Sequence, residues 1–137
     1  MKYLLFSLLA FLAGSLSNFA LSPWDNIFIL LFSFPVLFLI FQNVSVIKKN
    51  KNRVLSFIFF GNLFLFGYFL FGLLWISSAF DYREGFAELK FISIIGLPLL
   101  LCLITTPGWI LTALLWGSRA QNCLALSAGI ILSLIHI

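Results

Sequence analysis

"VLSFIFFGNLFLFGYFLFGLLWI", residues 54–76, has no charged side chain from one end to the other. A helix that crosses a bilayer needs roughly 20 consecutive, mostly apolar residues. This stretch is therefore predicted to be a transmembrane helix.

The composition of the whole chain supports the same interpretation. Its 137 residues are 63% hydrophobic and 9% charged, and the mean hydropathy is +1.17. A soluble domain carries about 25% charged residues, so this chain has too few to cover itself in water. The length fits one domain. Because the basic residues fall in short loops, the net charge of +4 does not indicate a nucleic-acid partner.

Further apolar stretches surround the first one. They predict an all-α, polytopic transmembrane bundle with four complete spans and a truncated fifth, the other spans being 3–21, 27–47, 91–116 and 123–131. The fourth contains Pro98 and Pro107, and its "ITTPGW", residues 104–109, could instead be a turn between two shorter helices. Proline is tolerated inside membrane helices, and the charge distribution favours one kinked helix.

Short loops rich in Lys and Arg stay in the cytoplasm. The segment "KKNKNR", residues 48–53, is therefore predicted to be cytoplasmic, together with the amino terminus and Arg119. Arg83 and Lys90 are the exceptions to the rule. All the acidic residues then lie outside: Asp25, Asp81, Glu84 and Glu88.

The first span ends in "LAGSLSNFALSPWD", residues 12–25, which has features of a secretory signal. Retention is favoured because the apolar run continues to Leu21 before Pro23 ends the helix. Ser15 stands where a lipoprotein-processing box requires Cys, so that alternative fails.

The spans carry no Asp, Glu, Lys or Arg, which argues against a pump or ion transporter. No metal-ligand spacing, phosphate loop or nucleophile elbow occurs. We expect no metal or cofactor. Cys102 and Cys123 are expected to be buried structural thiols rather than a disulfide, and His136 has no partner.

One helical face of the third span stands out. Residues at spacings of three and four share a face, and here they are Gly61, Leu65, Tyr68, Gly72 and Trp75. Such a face could pack against a neighbouring helix or line a groove that admits a lipid or a lipid-modified chain. Asn62 lies beside it and could hydrogen-bond to another helix.

The order of features resembles a known family. Gly14 and Leu16 lead into "FALSPWD", residues 19–25, and "GNLFLFGYFLFGLLWISSAF", residues 61–80, precedes "GLPLLL", residues 96–101. This resembles the amino-terminal membrane region of bacterial apolipoprotein N-acyltransferases, especially alphaproteobacterial forms, over residues 12 to 126. Ala20-Leu21 and "TTPG" depart from the family pattern.

The resemblance implies an inner-membrane, monomeric enzyme that moves an acyl chain from a phospholipid to the amino-terminal diacylglyceryl-cysteine of a lipoprotein. It implies a thioester on a Cys, assisted by Glu and Lys, in a nitrilase-like domain that follows the helices. Those residues are expected to be absent from this chain, so Cys102, Cys123, Glu84 and Glu88 are not given these roles. The chain alone is expected to be inactive.

The last residues, "LSLIHI" at 132–137, match a translated transposase-type sequencing adapter. We therefore expect the domain to comprise residues 1–131 and His136 to be an artefact. The alternative is a complete small polytopic membrane protein with a structural or transport-accessory role, which a genuine stop codon after Ile137 would favour.

Overall fold

The computed structural model describes residues 2–20, 26–47, 50–74, 87–117 and 119–135. These residues form five α-helices and no strand, which confirms the all-α prediction. The helices are α1 (Lys2–Ser17), α2 (Leu30–Ile47), α3 (Asn50–Gly72), α4 (Ala87–Leu115) and α5 (Arg119–Ile135). Short 3₁₀ turns at Asn18–Ala20 and Ile27–Ile29 follow α1 and precede α2.

Three of the described helices are long and apolar enough to cross a membrane: Tyr3–Ala20, Asn52–Gly72 and Ile92–Leu115. Leu30–Val46 and Gln121–Ile131 are shorter apolar helices. The 3₁₀ turn and α2 together cover the predicted second span, residues 27–47. That α2 crosses the bilayer remains a prediction.

Helices α3 and α5 begin before the spans that the sequence predicts. Helix α3 begins at Asn50, so Lys51 and Arg53 belong to its first turn rather than to a loop. Helix α5 begins at Arg119 instead of Cys123. In both places polar residues extend the helix beyond the apolar run, because helical backbone bonding does not require apolar side chains. Hydropathy identifies the apolar part of a helix but does not locate the residues at which the helix begins and ends.

Helix α4 is a single helix that contains both Pro98 and Pro107, as predicted. The hydroxyls of Thr105 and Thr106, beside the second proline, donate to the carbonyl oxygen of Cys102 at 2.9 and 3.0 Å. These bonds lie within α4 and hold both side chains against its backbone. The alternative of two helices divided at residues 104–109 is excluded.

Helix α3 lies at the centre and contacts α1, α2 and α4, while α5 packs against α4. The approach of α1 to α3 depends on glycine at two points. A Cβ atom on Gly14 would overlap the backbone carbonyl of Phe64, and one on Gly67 would lie 2.5 Å from the Phe11 carbonyl oxygen. Small residues permit such close backbone contacts in membranes. The ring contacts Phe6–Phe60 and Phe11–Phe66 advance along both helices in the same order, so α1 and α3 run parallel.

An aromatic cluster fills the core between α2, α3 and α4. Phe41 stacks on Phe57 with ring centroids 4.3 Å apart, and Trp116 meets both rings edge-on. The indole Nε1 of Trp116 donates to Ser45 Oγ at 3.1 Å, which satisfies its buried N–H. The cluster fixes the ends of three helices on the side that the charge distribution predicts to be cytoplasmic.

Candidate functional site

The predicted face of α3 contacts two different elements. A Cβ atom on Gly61 would overlap the Trp109 indole of α4, and one on Gly72 would lie 3.0 Å from Asn18 Oδ1, in the turn after α1. Leu65 is partly buried and packs against the core. The two glycines therefore belong to separate contacts and do not form one continuous surface.

The other members of the face add little to a site. Tyr68 is half-buried, with its ring edge-on to that of Phe69 at 5.4 Å. Trp75 lies outside the residues that the structure describes. For Tyr68 and Trp75, helix packing and a lipid-facing role both stay predictions.

An open groove, the α3–α4 groove, lies about 100° around α3 from Gly61, the rotation of one helical residue. Its volume is about 540 Å³. The lining is almost wholly apolar and consists of Leu55, Ile58, Phe59, Asn62, Leu63 and Phe66 of α3 with Leu99, Cys102 and Leu103 of α4.

A small polar cluster joins the two helices at this groove. Asn62 Nδ2 donates to Thr106 Oγ1 at 3.0 Å, so the hydrogen bond expected of Asn62 is present. The Cys102 thiol donates to the backbone carbonyl oxygen of Asn62 at 3.4 Å. Asn62 Oδ1 is buried and has no hydrogen-bond partner among the described residues. The wall of the groove therefore contains one unpaired amide oxygen, which the surrounding side chains cover.

The lining of the groove is suited to binding an apolar ligand. The Cys102 thiol is held as a hydrogen-bond donor, whereas a nucleophilic thiol must be ionised. Within the described part of the chain, no three His, Cys, Asp or Glu residues gather as they would around a metal ion. An apolar surface with a single amide suits an alkyl chain better than a polar substrate.

The two cysteines are free thiols, but only one has the predicted burial. Cys102 is buried and Cys123 is exposed. The expectation that both are buried was wrong for Cys123, because an apolar stretch in a membrane helix can face lipid as readily as protein.

Sequence reasoning missed the part played by residues 104–109. Thr106 bonds Asn62 of α3, and Trp109 covers Gly61. Gly108 lies beside α5, since a Cβ atom on Gly129 would come within 2.9 Å of the Gly108 carbonyl oxygen. The sequence did indicate a helix contact here, because Thr, Pro, Gly and Trp cluster within residues 104–109. These residues supply the small and hydrogen-bonding groups that helix contacts in membranes use.

The Asn62–Thr106 hydrogen bond gives a first prediction. In a double-mutant cycle, Asn62→Leu and Thr106→Val should show a coupling energy of about 0.6 kcal/mol, the average for such bonds in membranes. Unfolding of the chain in detergent micelles measures it. Asn43→Leu is the matched control, because Asn43 Nδ2 donates only to Leu39 O of its own helix at 2.8 Å. Equal coupling of both asparagines to Thr106→Val would contradict the assignment.

The fold and the groove together define a helical membrane protein with a lipid-compatible cleft. Comparison with known proteins identifies the relatives of the chain. It is 34% identical over 128 residues to apolipoprotein N-acyltransferase of Rhodopseudomonas palustris, covering 93% of this chain and 24% of the relative. The enzymes of the same name from Sinorhizobium fredii and Brucella suis are 32% and 33% identical, over 87% and 93% of this chain.

The chain is thus related, along most of its length, to one part of apolipoprotein N-acyltransferases, and the resemblance seen in its motifs is confirmed. It spans about a quarter of the length of these relatives, 24%, 23% and 24% respectively. No protein-family model matches the chain, and no solved structure does.

Proposed function

We propose that residues 1–131 are the amino-terminal membrane domain of an apolipoprotein N-acyltransferase. The observation that carries the proposal is the 31–34% identity to five enzymes of that name over about 90% of this chain. The order of the spans and the absence of charged residues within the apolar runs support it. On this proposal residues 132–137 are not part of the natural protein, and the remaining three quarters of the enzyme follow.

The complete enzyme would take an acyl chain from a membrane phospholipid and transfer it to the amino group of a diacylglyceryl lipoprotein. It would act as a monomer in the bacterial inner membrane, with its amino terminus in the cytoplasm. The cytoplasmic assignment rests on the basic residues 48–53, since Lys and Arg next to the end of a membrane helix are retained inside.

The described residues would contribute a scaffold and a lipid contact. The Gly14 and Gly67 contacts hold α1 against α3, and the Trp109–Gly61 contact holds α4 there. We assign Gly61, Leu65 and Gly72 to this packing and Tyr68 to the surface near it. The α3–α4 groove would accommodate an alkyl chain, for which its apolar lining is suited. Acyl transfer itself would take place in the domain that follows.

The test begins with long-read sequencing of the genomic locus. We expect the reading frame to continue beyond Ile131 into further helices and a domain with Cys, Glu and Lys. The complete frame should replace the resident enzyme in a bacterium depleted of it, whereas the 137-residue chain should not. Mass spectrometry of amino-terminal lipopeptides measures the result, because N-acylation adds the mass of one acyl chain.

Two outcomes would overturn the proposal. One is a stop codon directly after Ile137, which would indicate a complete small membrane protein. The other is a complete frame that reaches the membrane at the level of the resident enzyme yet leaves the lipopeptides without the third acyl chain. A shorter frame ending at residue 131 serves as the control for expression of the membrane domain alone.

A further inference from the structure

The α4 side of the α3–α4 groove lies wholly on one side of a proline. Its lining residues are Leu99, Cys102 and Leu103, and all three precede Pro107. Because proline has no N–H, Pro107 cannot form the helical hydrogen bond to the Leu103 carbonyl oxygen. Helices bend at such positions, and Gly108, the next residue, has no side chain to resist the bend. One wall of the groove therefore adjoins a weakened point in the backbone of α4.

The part of α4 that follows this proline is fixed on three sides. Trp109 is 1% exposed and lies against Gly61 of α3. Trp116 donates from Nε1 to Ser45 Oγ of α2 at 3.1 Å. Helix α5 approaches closely at Gly129, where a Cβ atom would lie 2.9 Å from a carbonyl oxygen of α4. This end of the helix cannot move without disrupting the core.

The part of α4 that precedes the proline is packed more loosely. Of residues 92–101, only Pro98 is buried. Among the described residues, the only atom within 4 Å of a Cβ placed on Gly96 is Ile92 Cγ2 of the same helix, at 3.7 Å. Segments with few buried contacts are the ones that move at low cost in free energy. Residues 92–106 can therefore change position while the rest of α4 stays in place.

Two hydrogen bonds to Asn62 hold this part of α4 against α3. Asn62 Nδ2 donates to Thr106 Oγ1 at 3.0 Å, and Cys102 Sγ donates to the Asn62 carbonyl oxygen at 3.4 Å. Hydrogen bonds between membrane helices are individually weak. Both can therefore break without unfolding of the bundle.

We propose that residues 92–106 are a movable wall of the α3–α4 groove, which pivots at Pro107 and Gly108 and is held closed by the hydrogen bonds to Asn62. The structure shows the closed arrangement. Opening separates Cys102 from Asn62 and widens the groove, so it controls the access of an apolar ligand. Hinge motions absorb such a rotation at a few residues. The proposal concerns the groove itself and does not depend on acyl transfer.

The two native cysteines allow this motion to be measured. Cys102 is 4% exposed and lies in the movable wall, whereas Cys123 is exposed on α5 and should react at a rate that the motion does not affect. The purified 137-residue chain is treated with N-ethylmaleimide in detergent micelles. Mass spectrometry of its peptides then gives the modification rate of each thiol.

Two substitutions should change the rate at Cys102 in opposite directions. Pro107→Ala restores the missing N–H and should slow the modification about fivefold, the factor that one net hydrogen bond contributes. Thr106→Val removes a bond to Asn62 and should accelerate it about threefold, the factor for an average hydrogen bond between membrane helices. The rate at Cys123 should stay unchanged in both variants.

Pro35→Ala is the matched control for Pro107→Ala, because both prolines are exposed within apolar helices and Pro35 belongs to α2, which does not line the groove. It should leave the rate at Cys102 unchanged. Gly14→Ala controls for global unfolding, since it weakens the contact between α1 and α3 and not the movable wall.

Three outcomes would overturn the proposal. They are an equal effect of the two proline variants, no acceleration by Thr106→Val, and an acceleration by Gly14→Ala as large as that by Thr106→Val. The last would show that Cys102 becomes accessible only when the whole bundle unfolds. If Pro107→Ala does not fold, the comparison of Thr106→Val with Gly14→Ala decides.

Discussion

Replacing Gly14 with alanine should lower the free energy of unfolding of the bundle by about 1–3 kcal/mol, the usual cost of a methyl group forced into a packed interface. The added Cβ atom would overlap the backbone carbonyl oxygen of Phe64 and lie 3.1 Å from its Cα atom. Neither backbone atom can rotate away as the end of a flexible side chain can. The two helices must therefore move apart along the contact that also includes Gly67.

The measurement is equilibrium unfolding in mixed detergent micelles, followed by tryptophan fluorescence. Gly96→Ala is the matched control, because the nearest atom to a Cβ at that position is the Ile92 Cγ2 of the same helix, at 3.7 Å. Its effect should be within about 0.5 kcal/mol, as for substitutions away from packed contacts. An equal loss of stability in the two variants would show that α1 does not approach α3 through Gly14.

The Gly14–Phe64 contact is an example of what the sequence could not predict, namely which residues of two helices meet. The positions of the helices followed from hydropathy, because apolar runs in membranes become helices to satisfy their backbone groups. The contacts between helices did not follow, since a helix in lipid is apolar on all its sides and periodicity does not mark the inner face. Gly61 and Gly72 share a face by their spacing, yet they contact Trp109 and Asn18, which belong to different elements.

The candidate groove was missed for the same reason. Asn62 was recognised as a polar residue beside the predicted face, but the groove lies on its side of α3 rather than on that of Gly61. Its partner Thr106 lies in a stretch whose prolyl residue suggested a break in the helix. Only the packing of α4 against α3 brings the two side chains within 3.0 Å.

Trp109→Ala should have the largest effect of any single substitution in the bundle, about 3–5 kcal/mol of lost unfolding free energy, as for buried Trp or Phe truncated to Ala. Trp109 is 1% exposed. Its ring lies against Gly61 on α3 and meets the Phe41 ring of α2 edge-on at 5.7 Å. Truncation therefore leaves a cavity where three helices meet.

A double-mutant cycle with Gly61→Ala distinguishes direct contact from general weakening of the core. In the wild-type background the new methyl group would overlap the indole, whereas in the Trp109→Ala background it enters the cavity. The coupling energy should therefore be about 0.5–3 kcal/mol, with the double variant more stable than the two separate losses predict.

Trp116→Ala is the matched background for this cycle. Trp116 is also buried, at 7% exposure, and contacts the same Phe41 ring, at 5.8 Å. The atoms nearest to a Cβ on Gly61, however, all belong to Trp109. Gly61→Ala should thus cost as much with Trp116→Ala as in the wild type, and an equal coupling to both tryptophans would contradict the direct contact. Because Gly61 adjoins Asn62, the Trp109 contact also sets the register in which α4 forms one wall of the α3–α4 groove.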